Sequence, residues 1–251
     1  MAPGPIARFL ARLTVRDSGE PASSNRASSF HLIWTVPSVP LEEVSAVFEL
    51  LVEPAVSRLY FWALQATFLE GSTARGGAHL GLQWHPSYPG NRAVNWGGYG
   101  ESGELAGSVS ELPSALENSN TRDYSWEPGI PYRFVISSPE TGRWRGTVTN
   151  LATGEPTVVR DLFSTGTRLA GPMVWTEAFC RCDDPSVVAR WSDFRATTDG
   201  NDIPIESIRV NYQSYAQGGC TNTTVREVDG GLLQITGTER EIPVGRLLSL
   251  K

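Results

Sequence analysis

Short runs of alternating apolar and polar residues recur along the chain. In Ala78–His85 the apolar residues occupy the even positions, while His79, Gly81 and Gln83 share the opposite face. Ile205–Gln213 divides in the same way. Successive side chains of a β-strand point to opposite sides, so this pattern predicts strands that bury one face and keep the other polar.

Turn signals rich in Gly, Pro, Asn and Asp separate these runs, and Ser138–Gly142 predicts a hairpin. Leu59–Leu69 is apolar on both faces, which predicts a central strand covered on both sides. The predicted strands are Phe30–Val36, Val44–Val52, Leu59–Leu69, Ala78–His85, Ala93–Trp96, Tyr132–Ser137, Arg143–Asn150, Met173–Cys180, Val187–Phe194, Ile205–Tyr212 and Leu232–Gly237. Together they predict an all-β protein, a two-sheet antiparallel sandwich.

The first residues follow a different pattern. Arg8, Arg12 and Arg16 recur every four residues, which predicts a short N-terminal helical arm, with a targeting or membrane-surface role as the alternative. Asp17–Ser29 has the composition of a linker. We therefore expect an arm and linker over residues 1–29 and one β-sandwich domain over residues 30–251.

Composition narrows the classes of function. The 251 residues include 25 Gly, 17 Pro and 8 Trp, and the formal net charge is −6. This charge gives no general attraction to nucleic acid, and no apolar run is long enough to predict a transmembrane segment. The absence of a recognisable signal peptide predicts a cytoplasmic protein by default. A hydrophobic content of 40% is sufficient for a sizeable core.

The three cysteines leave two alternatives open. Cys180 or Cys182 pairs with Cys220 and one thiol stays free, or all three remain reduced. Their spacing does not fit a structural zinc site.

The segment Gly76–Gly100 is the densest in residues that suit a binding site. Its histidines, amides and aromatic rings are the groups that bind sugars, and Gly81 is expected to open a groove in the polar face. The alternative is an ordinary solvated sheet, with Trp96 in the core. The candidate ligand-binding residues are His79, Asn95, Trp96, Tyr99, Arg145 and Asn211.

Two further segments carry acidic groups. Glu177 lies among large apolar residues, so we expect it either to pair with Arg209 or Arg145 or to act as a catalytic or ligand-binding acid. The oxygen-rich loop around Asp199, Asn201 and Asp202 suits calcium weakly and an ordinary turn better. No other cofactor is predicted.

The order of the motifs resembles an uncharacterised bacterial domain family of concanavalin A-like lectin/glucanase type. The motifs that carry the resemblance are YFWALQATFL, GGAHLGLQWHP, AVNWGGYG, RWRGTVTNLATGE, PMVWTEAF and GGCTNTT, over about residues 30 to 250. The resemblance implies a jelly roll whose concave face meets carbohydrate.

The same fold hosts polysaccharide lyases, which the resemblance implies as an alternative. The catalytic residues would be Gln83, His85, Glu177 and Arg209, with Tyr99, Tyr212 or Tyr215 as the acid and Arg145 as another carboxylate partner. The chain lacks the arginine-rich and lysine-containing strands of such lyases and the paired carboxylates of a glucanase. We therefore expect a carbohydrate-binding module first, a sugar-active enzyme second, and a structural or protein-interaction domain third. The ligand, the oligomeric state and any catalysis are left open by the sequence.

Overall fold

A computed structural model describes residues 14–100 and 108–250. Two single-turn 3-10 helices, Pro89–Asn91 and Tyr215–Gln217, interrupt an otherwise all-β chain in these residues. The strands are β1 (Ser28–Thr35), β2 (Glu43–Val52), β3 (Tyr60–Glu70), β4 (Thr73–Trp84), β5 (Arg92–Tyr99), β6 (Ser108–Val109), β7 (Thr121–Asp123), β8 (Tyr132–Glu140), β9 (Arg143–Asn150), β10 (Pro156–Phe163), β11 (Arg168–Ala178), β12 (Val188–Thr198), β13 (Asn201–Ile203), β14 (Ser207–Tyr212), β15 (Thr224–Val228), β16 (Gly231–Ile235) and β17 (Leu247–Leu248).

The described strands form two antiparallel sheets, which confirms the predicted jelly-roll sandwich. Sheet A has the order β17-β14-β1-β11-β3-β4-β5-β7. Sheet B has the order β15-β16-β12-β2-β8-β9-β10-β6, with β13 paired to β12. Residues 1–13, which contain most of the predicted helical arm, lie outside the described residues.

The core lies between the inner faces of the two sheets. Alternation in the sequence sets these faces: Trp62 of β3 and Leu80 of β4 are fully buried there, opposite Phe48, Phe134 and other residues of sheet B. Aromatic rings contact one another across the gap, with the Phe48 and Trp62 centroids 5.5 Å apart. Strand β3 lies in the interior of sheet A between β11 and β4, in agreement with its apolar character on both faces.

A buried amide joins the two sheets. Gln234 of β16 accepts hydrogen bonds from Thr176 at 2.8 Å and from Trp191 Nε1 at 2.9 Å, and it donates to the Phe30 carbonyl at 2.8 Å. Thr176 and Phe30 belong to sheet A, while Trp191 belongs to sheet B. Because every polar group of this amide is satisfied, its burial is stabilising and fixes the sheets relative to each other.

The segment predicted as a linker lies against one end of the sandwich. Gly19 accepts a backbone hydrogen bond from Cys182 at 2.8 Å, and Ala22 donates one to Gly218 at 2.9 Å. A disulfide joins Cys182 to Cys220 at this end, and Cys180 is the free, buried cysteine. Of the alternatives that the sequence left open, the structure therefore has the Cys182–Cys220 bridge.

Candidate binding site

The outer face of sheet A, turned away from the core, carries three rows of side chains that cross the strands. The first row is Arg209, Ile33, Met173, Gln65, His79 and Gly97. The second row is Asn211, His31, Trp175, Ala63, Gly81, Asn95 and Thr121. The third row is Ser29, Glu177, Phe61, Gln83, Ala93 and Asp123. Neighbours within a row are about 5 Å apart, and the rows are about 7 Å apart.

Trp175 forms the centre of this face. Its ring centroid lies 4.9 Å from that of Phe61, 5.7 Å from that of His79 and 6.2 Å from that of His31. Its Nε1 donates a hydrogen bond to Gln65 Oε1 at 2.9 Å. Trp175 is 6% exposed and contacts these four side chains, so it forms a fixed aromatic platform at the centre of the face.

Two glycines on this face have different roles. A Cβ on Gly81 would lie 1.9 Å from the Trp62 carbonyl oxygen, so this glycine permits the close approach of β3 and β4 and does not open the groove that the sequence predicted. A Cβ on Gly97 would lie 3.1 Å from both Asn95 Oδ1 and His79 Nε2. The absence of a side chain at Gly97 therefore lets Asn95 and His79 pack closely over its backbone.

Among the described residues, several buried polar atoms on this face have no hydrogen-bond partner. They are Gln83 Oε1, Asn95 Oδ1 and His31 Nδ1. Gln83 and Asn95 are 5% and 7% exposed. An unsatisfied buried acceptor costs about 1–3 kcal/mol, so these atoms are locally destabilising.

The two imidazoles at the centre of the face are uncharged at neutral pH. Burial lowers the pKa of both His31 and His79 to about 4, so both rings are neutral. Glu177 is also shielded from water, and this burial raises its pKa, although the Asn25 amide donates to its carboxylate at 2.9 Å and lowers the pKa in part. The partner of Glu177 is thus Asn25, and the expected pairing with Arg209 or Arg145 is wrong.

The structure brings most of the predicted site residues onto one face. Tyr99 lies beside the first row, where its hydroxyl accepts a hydrogen bond from Gln65 Nε2 at 3.4 Å. The predicted residues that share the outer face of sheet A are His79, Gln83, Asn95, Tyr99, Glu177, Arg209 and Asn211. Their roles in binding stay predictions.

Three predicted site residues lie elsewhere. Trp96 is fully buried in the core, where its Nε1 donates to the Trp144 carbonyl at 3.3 Å, so its ring does not face a ligand. Arg145 lies on sheet B and forms an ion pair with Asp161 at 2.9 Å. His85 follows the end of β4, and its Nδ1 accepts a hydrogen bond from a turn amide at 3.3 Å.

The proposed lyase set does not converge on one point. Tyr99 pairs with Gly77, which is six residues from Gln83 and hence about 20 Å along the strand. Arg209 lies four strands from β4, or about 19 Å. Tyr212 is buried in the core, and Tyr215 lies under the Arg16 guanidinium at 4.4 Å. A common site within 3–5 Å, which proton abstraction would need, is therefore not formed by these residues.

The predicted calcium loop lies at the hairpin between β12 and β13. Asp199 has a positive φ of 50° and lies next to Gly200, as a tight turn requires. Within residues 14–100 and 108–250, no group of three or more His, Cys, Asp or Glu residues is arranged to hold a metal ion. Calcium at Asp199, Asn201 and Asp202 stays an untested prediction.

Sequence reasoning missed the residues that surround the platform. Gln65, His31, Phe61 and Trp175 are not among the predicted site residues. Gln65 and His31 are polar residues within predicted strands, whereas the apolar Phe61 and Trp175 carry no signal of a site in the sequence. Their convergence depends on the pairing of β1, β11 and β3, which are distant in sequence.

Comparisons with known proteins find only distant structural likenesses. No family model and no curated protein matches the chain. The Scytalido-glutamic peptidase with a peptide-based transition state analog is 13% identical, with a TM-score of 0.46 over 87% of this chain and 98% of that one. Peanut lectin with a 9mer peptide is 11% identical, with a TM-score of 0.31 over 64% and 77% of the two chains. The enzymatically active domain of bacteriophage CBA120 tailspike protein 2 is 15% identical, with a TM-score of 0.32 over 74% and 25%.

The TM-scores of all three are below 0.5, so these likenesses support no conclusion about the fold or the function of this chain. In the part of the chain that the structure describes, no helix has the length and apolar character needed to cross a membrane.

Proposed function

We propose that this protein is a binding module whose outer sheet A face takes a neutral, polyhydroxylated ligand, with carbohydrate as the chemical class. The observation that carries the proposal is the grouping of the Gln83 and Asn95 amides on the same face of sheet A as the Trp175 platform. Sugar hydroxyl groups are donors that satisfy such acceptors, and aromatic rings pack against the C–H face of a pyranose.

The electrostatics of the face favour a neutral ligand over an acidic polymer. The imidazoles of His31 and His79 are uncharged at neutral pH because burial lowers the pKa of each to about 4. Arg209 lies at one end of the first row, and Glu177 lies in the third row. A uronate or sulfate above Trp175 would therefore lose its hydration without gaining a cation at close range.

The disulfide bears on the cellular compartment in which the protein works. The Cys182–Cys220 disulfide supports a proposal that the protein works in an oxidising compartment, in place of the cytoplasm that was expected by default. Alkylation of the protein from its native source, followed by mass spectrometry, tests this. A modified thiol on Cys182 without prior reduction would overturn the proposal.

A glycan array tests the proposed function. The wild type is compared with Gln83→Met, which removes one acceptor and keeps the length of the side chain. Thr147→Val on the outer face of sheet B is the matched control. Loss of one satisfied hydrogen bond is expected to weaken binding about tenfold, while the control binds as the wild type does. Absence of glycan binding by the wild type, or equal binding by Gln83→Met, would overturn the proposal.

A further inference from the structure

The chain segment before β1 borders the third row of the outer face of sheet A. We call residues 14–27 the N-terminal strap; within it, Asn25 Nδ2 donates a hydrogen bond to Glu177 Oε1 at 2.9 Å. We propose that Asn25 is a positioning residue, which holds the Glu177 carboxylate so that its second oxygen, Oε2, accepts a hydroxyl group of the ligand. The inference rests on the proposed function and adds an ionised acceptor to the amides of this face.

Glu177 lies within reach of a ligand on the Trp175 platform. It is two residues from Trp175 on β11, or about 7 Å, and it neighbours Phe61 of β3 in the third row. The residue is partly exposed, and its Oε1 is engaged by Asn25. Among the described residues, Oε2 has no hydrogen-bond partner and is not one of the unpartnered atoms that are closed off from solvent. One oxygen is therefore held by the protein while the other is open to a ligand.

The Asn25 amide is oriented by its own turn. Its Oδ1 accepts a hydrogen bond from Ser23 Oγ at 3.0 Å and another from the Ala27 backbone N–H at 3.2 Å. An asparagine side chain commonly binds the backbone two residues further on in this way. Because Oδ1 is turned into the strap, Nδ2 is the end of the amide that faces Glu177.

Two loops at the end of the sandwich hold the strap in place. The Cys182 backbone N–H donates to the Gly19 carbonyl at 2.8 Å, and Arg16 Nη1 donates to the Gly219 carbonyl at 3.0 Å. The Cys182–Cys220 disulfide joins the two loops that contain these partners. The strap is therefore fixed before any ligand arrives, so Asn25 pays little ordering entropy to hold the carboxylate.

The same hydrogen bond affects the charge of Glu177. Burial raises the pKa of this carboxyl, and the Asn25 amide lowers the pKa in part because it binds the ionised form. The groups around the carboxyl are Ser29 and His31 on β1, Phe61 on β3, Trp175 and Phe179 on its own strand, and Asn25 and Arg26 in the strap.

Of these neighbours only His31 and Arg26 can carry charge. His31 is neutral because burial lowers its pKa to about 4, and neither residue contributes to the pKa shift of Glu177. Without the Asn25 amide the pKa of Glu177 therefore rises, and the carboxylate takes up its proton at a higher pH. The protonated group is a weaker acceptor, since hydrogen bonds to an ionised partner are roughly twice as strong as neutral ones.

The experiment uses the full chain labelled with ¹³C and a panel of probes: glucose, galactose, mannose and N-acetylglucosamine. The side-chain carboxyl carbon of Glu177 is titrated with pH in the wild type and in variants, and the affinity for the sugar that binds best is measured over the same pH range. The variants are Asn25→Ala, Asn25→Gln, which keeps an amide donor, and Glu177→Gln. Ser24→Ala, at an exposed strap residue beside Asn25, is the matched control.

In Asn25→Ala we expect the pKa of Glu177 to rise, and the pH at which half of the affinity is lost should rise with it. Asn25→Gln should recover part of both shifts, and Ser24→Ala should show neither. Glu177→Gln should bind about tenfold more weakly at the pH of strongest binding and should lose this pH dependence.

The outcomes separate the two proposals. An unchanged pKa of Glu177 in Asn25→Ala, or wild-type affinity in Glu177→Gln, would overturn the role of Asn25 and leave the proposed function standing as long as the wild type binds sugar. Absence of binding with all four sugars would overturn both. Folding of each variant is checked by the dispersion of its backbone amide spectrum, so a loss of structure is not mistaken for a loss of positioning.

Discussion

Acidification should destabilise the protein through His31 and His79. Burial lowers the pKa of each imidazole to about 4 in the folded chain, whereas an unfolded chain titrates near 6.5. Between these values the unfolded state binds protons that the folded state does not. Stability is therefore complete above about pH 6.5 and falls as the pH drops towards 4.

The magnitude follows from the two pKa values. Inside this window each histidine contributes a slope of about 1.4 kcal/mol per pH unit to the free energy of unfolding. Lowering the pH across this window removes about 3 kcal/mol of the free energy of unfolding per histidine. This is a large share of the 5–15 kcal/mol of stability that is typical of a domain. Glu177 acts in the opposite sense, because burial raises the pKa of its carboxyl and the folded state then holds the extra proton.

Urea unfolding between about pH 7 and pH 4.5 measures the effect, with wild type and His79→Phe compared at each pH. Contributions from Glu177 and the other carboxyl groups are common to both proteins and cancel in the difference. The wild type should lose about 1.4 kcal/mol per pH unit more than the variant. Parallel stability curves, or an imidazole of His79 that titrates near 6.5 in the folded protein by NMR, would refute the reasoning.

Three further predictions concern stability. Cys182→Ser removes the disulfide to Cys220, and the sequence separation of 38 corresponds to about 4 kcal/mol of chain entropy in the unfolded state. Urea unfolding should show this loss of stability, and the reduced wild type should lose the same amount. Gln234→Leu leaves a buried indole donor and a buried hydroxyl unpaired and should cost about 3 kcal/mol; an unchanged melting temperature would contradict the role of this amide between the sheets. Gly146→Ala places a Cβ 2.8 Å from the Trp96 ring and should cost about 1–3 kcal/mol by thermal unfolding, a loss that Thr147→Val should not show.

The alternation of apolar residues was enough to predict the sandwich. Every strand predicted from it overlaps a strand of the structure, because one buried face imposes a period of two on the sequence. Strand β10 was missed for a physical reason. A register shift between Val158 and Arg160 breaks its alternation, and both Arg160 and Asp161 are buried, so the segment does not read as a strand with one apolar face.

The candidate site was predicted only in part. The polar face of β4 could be found from the sequence, since the residues concerned are close together in the chain. The aromatic platform could not, because Trp175 meets His79 across β3, and the pairing of β11 with β3 spans about a hundred residues of chain. The partner of Glu177 was missed for the same reason: Asn25 lies in an irregular segment before β1, for which no pattern predicts a position.

The three rows on the outer face of sheet A have a consequence for how ligand preference can be changed. Along β4 and β5, residues 79, 83, 95 and 97 face the candidate site, while residues 80, 82, 94 and 96 build the core. A library randomised at the first set leaves the packing between the sheets untouched. Because Gln83 and Asn95 are nearly buried and Gly97 has little room for a side chain, the library should be restricted to residues of similar size, and its members should then differ in the ligands they select.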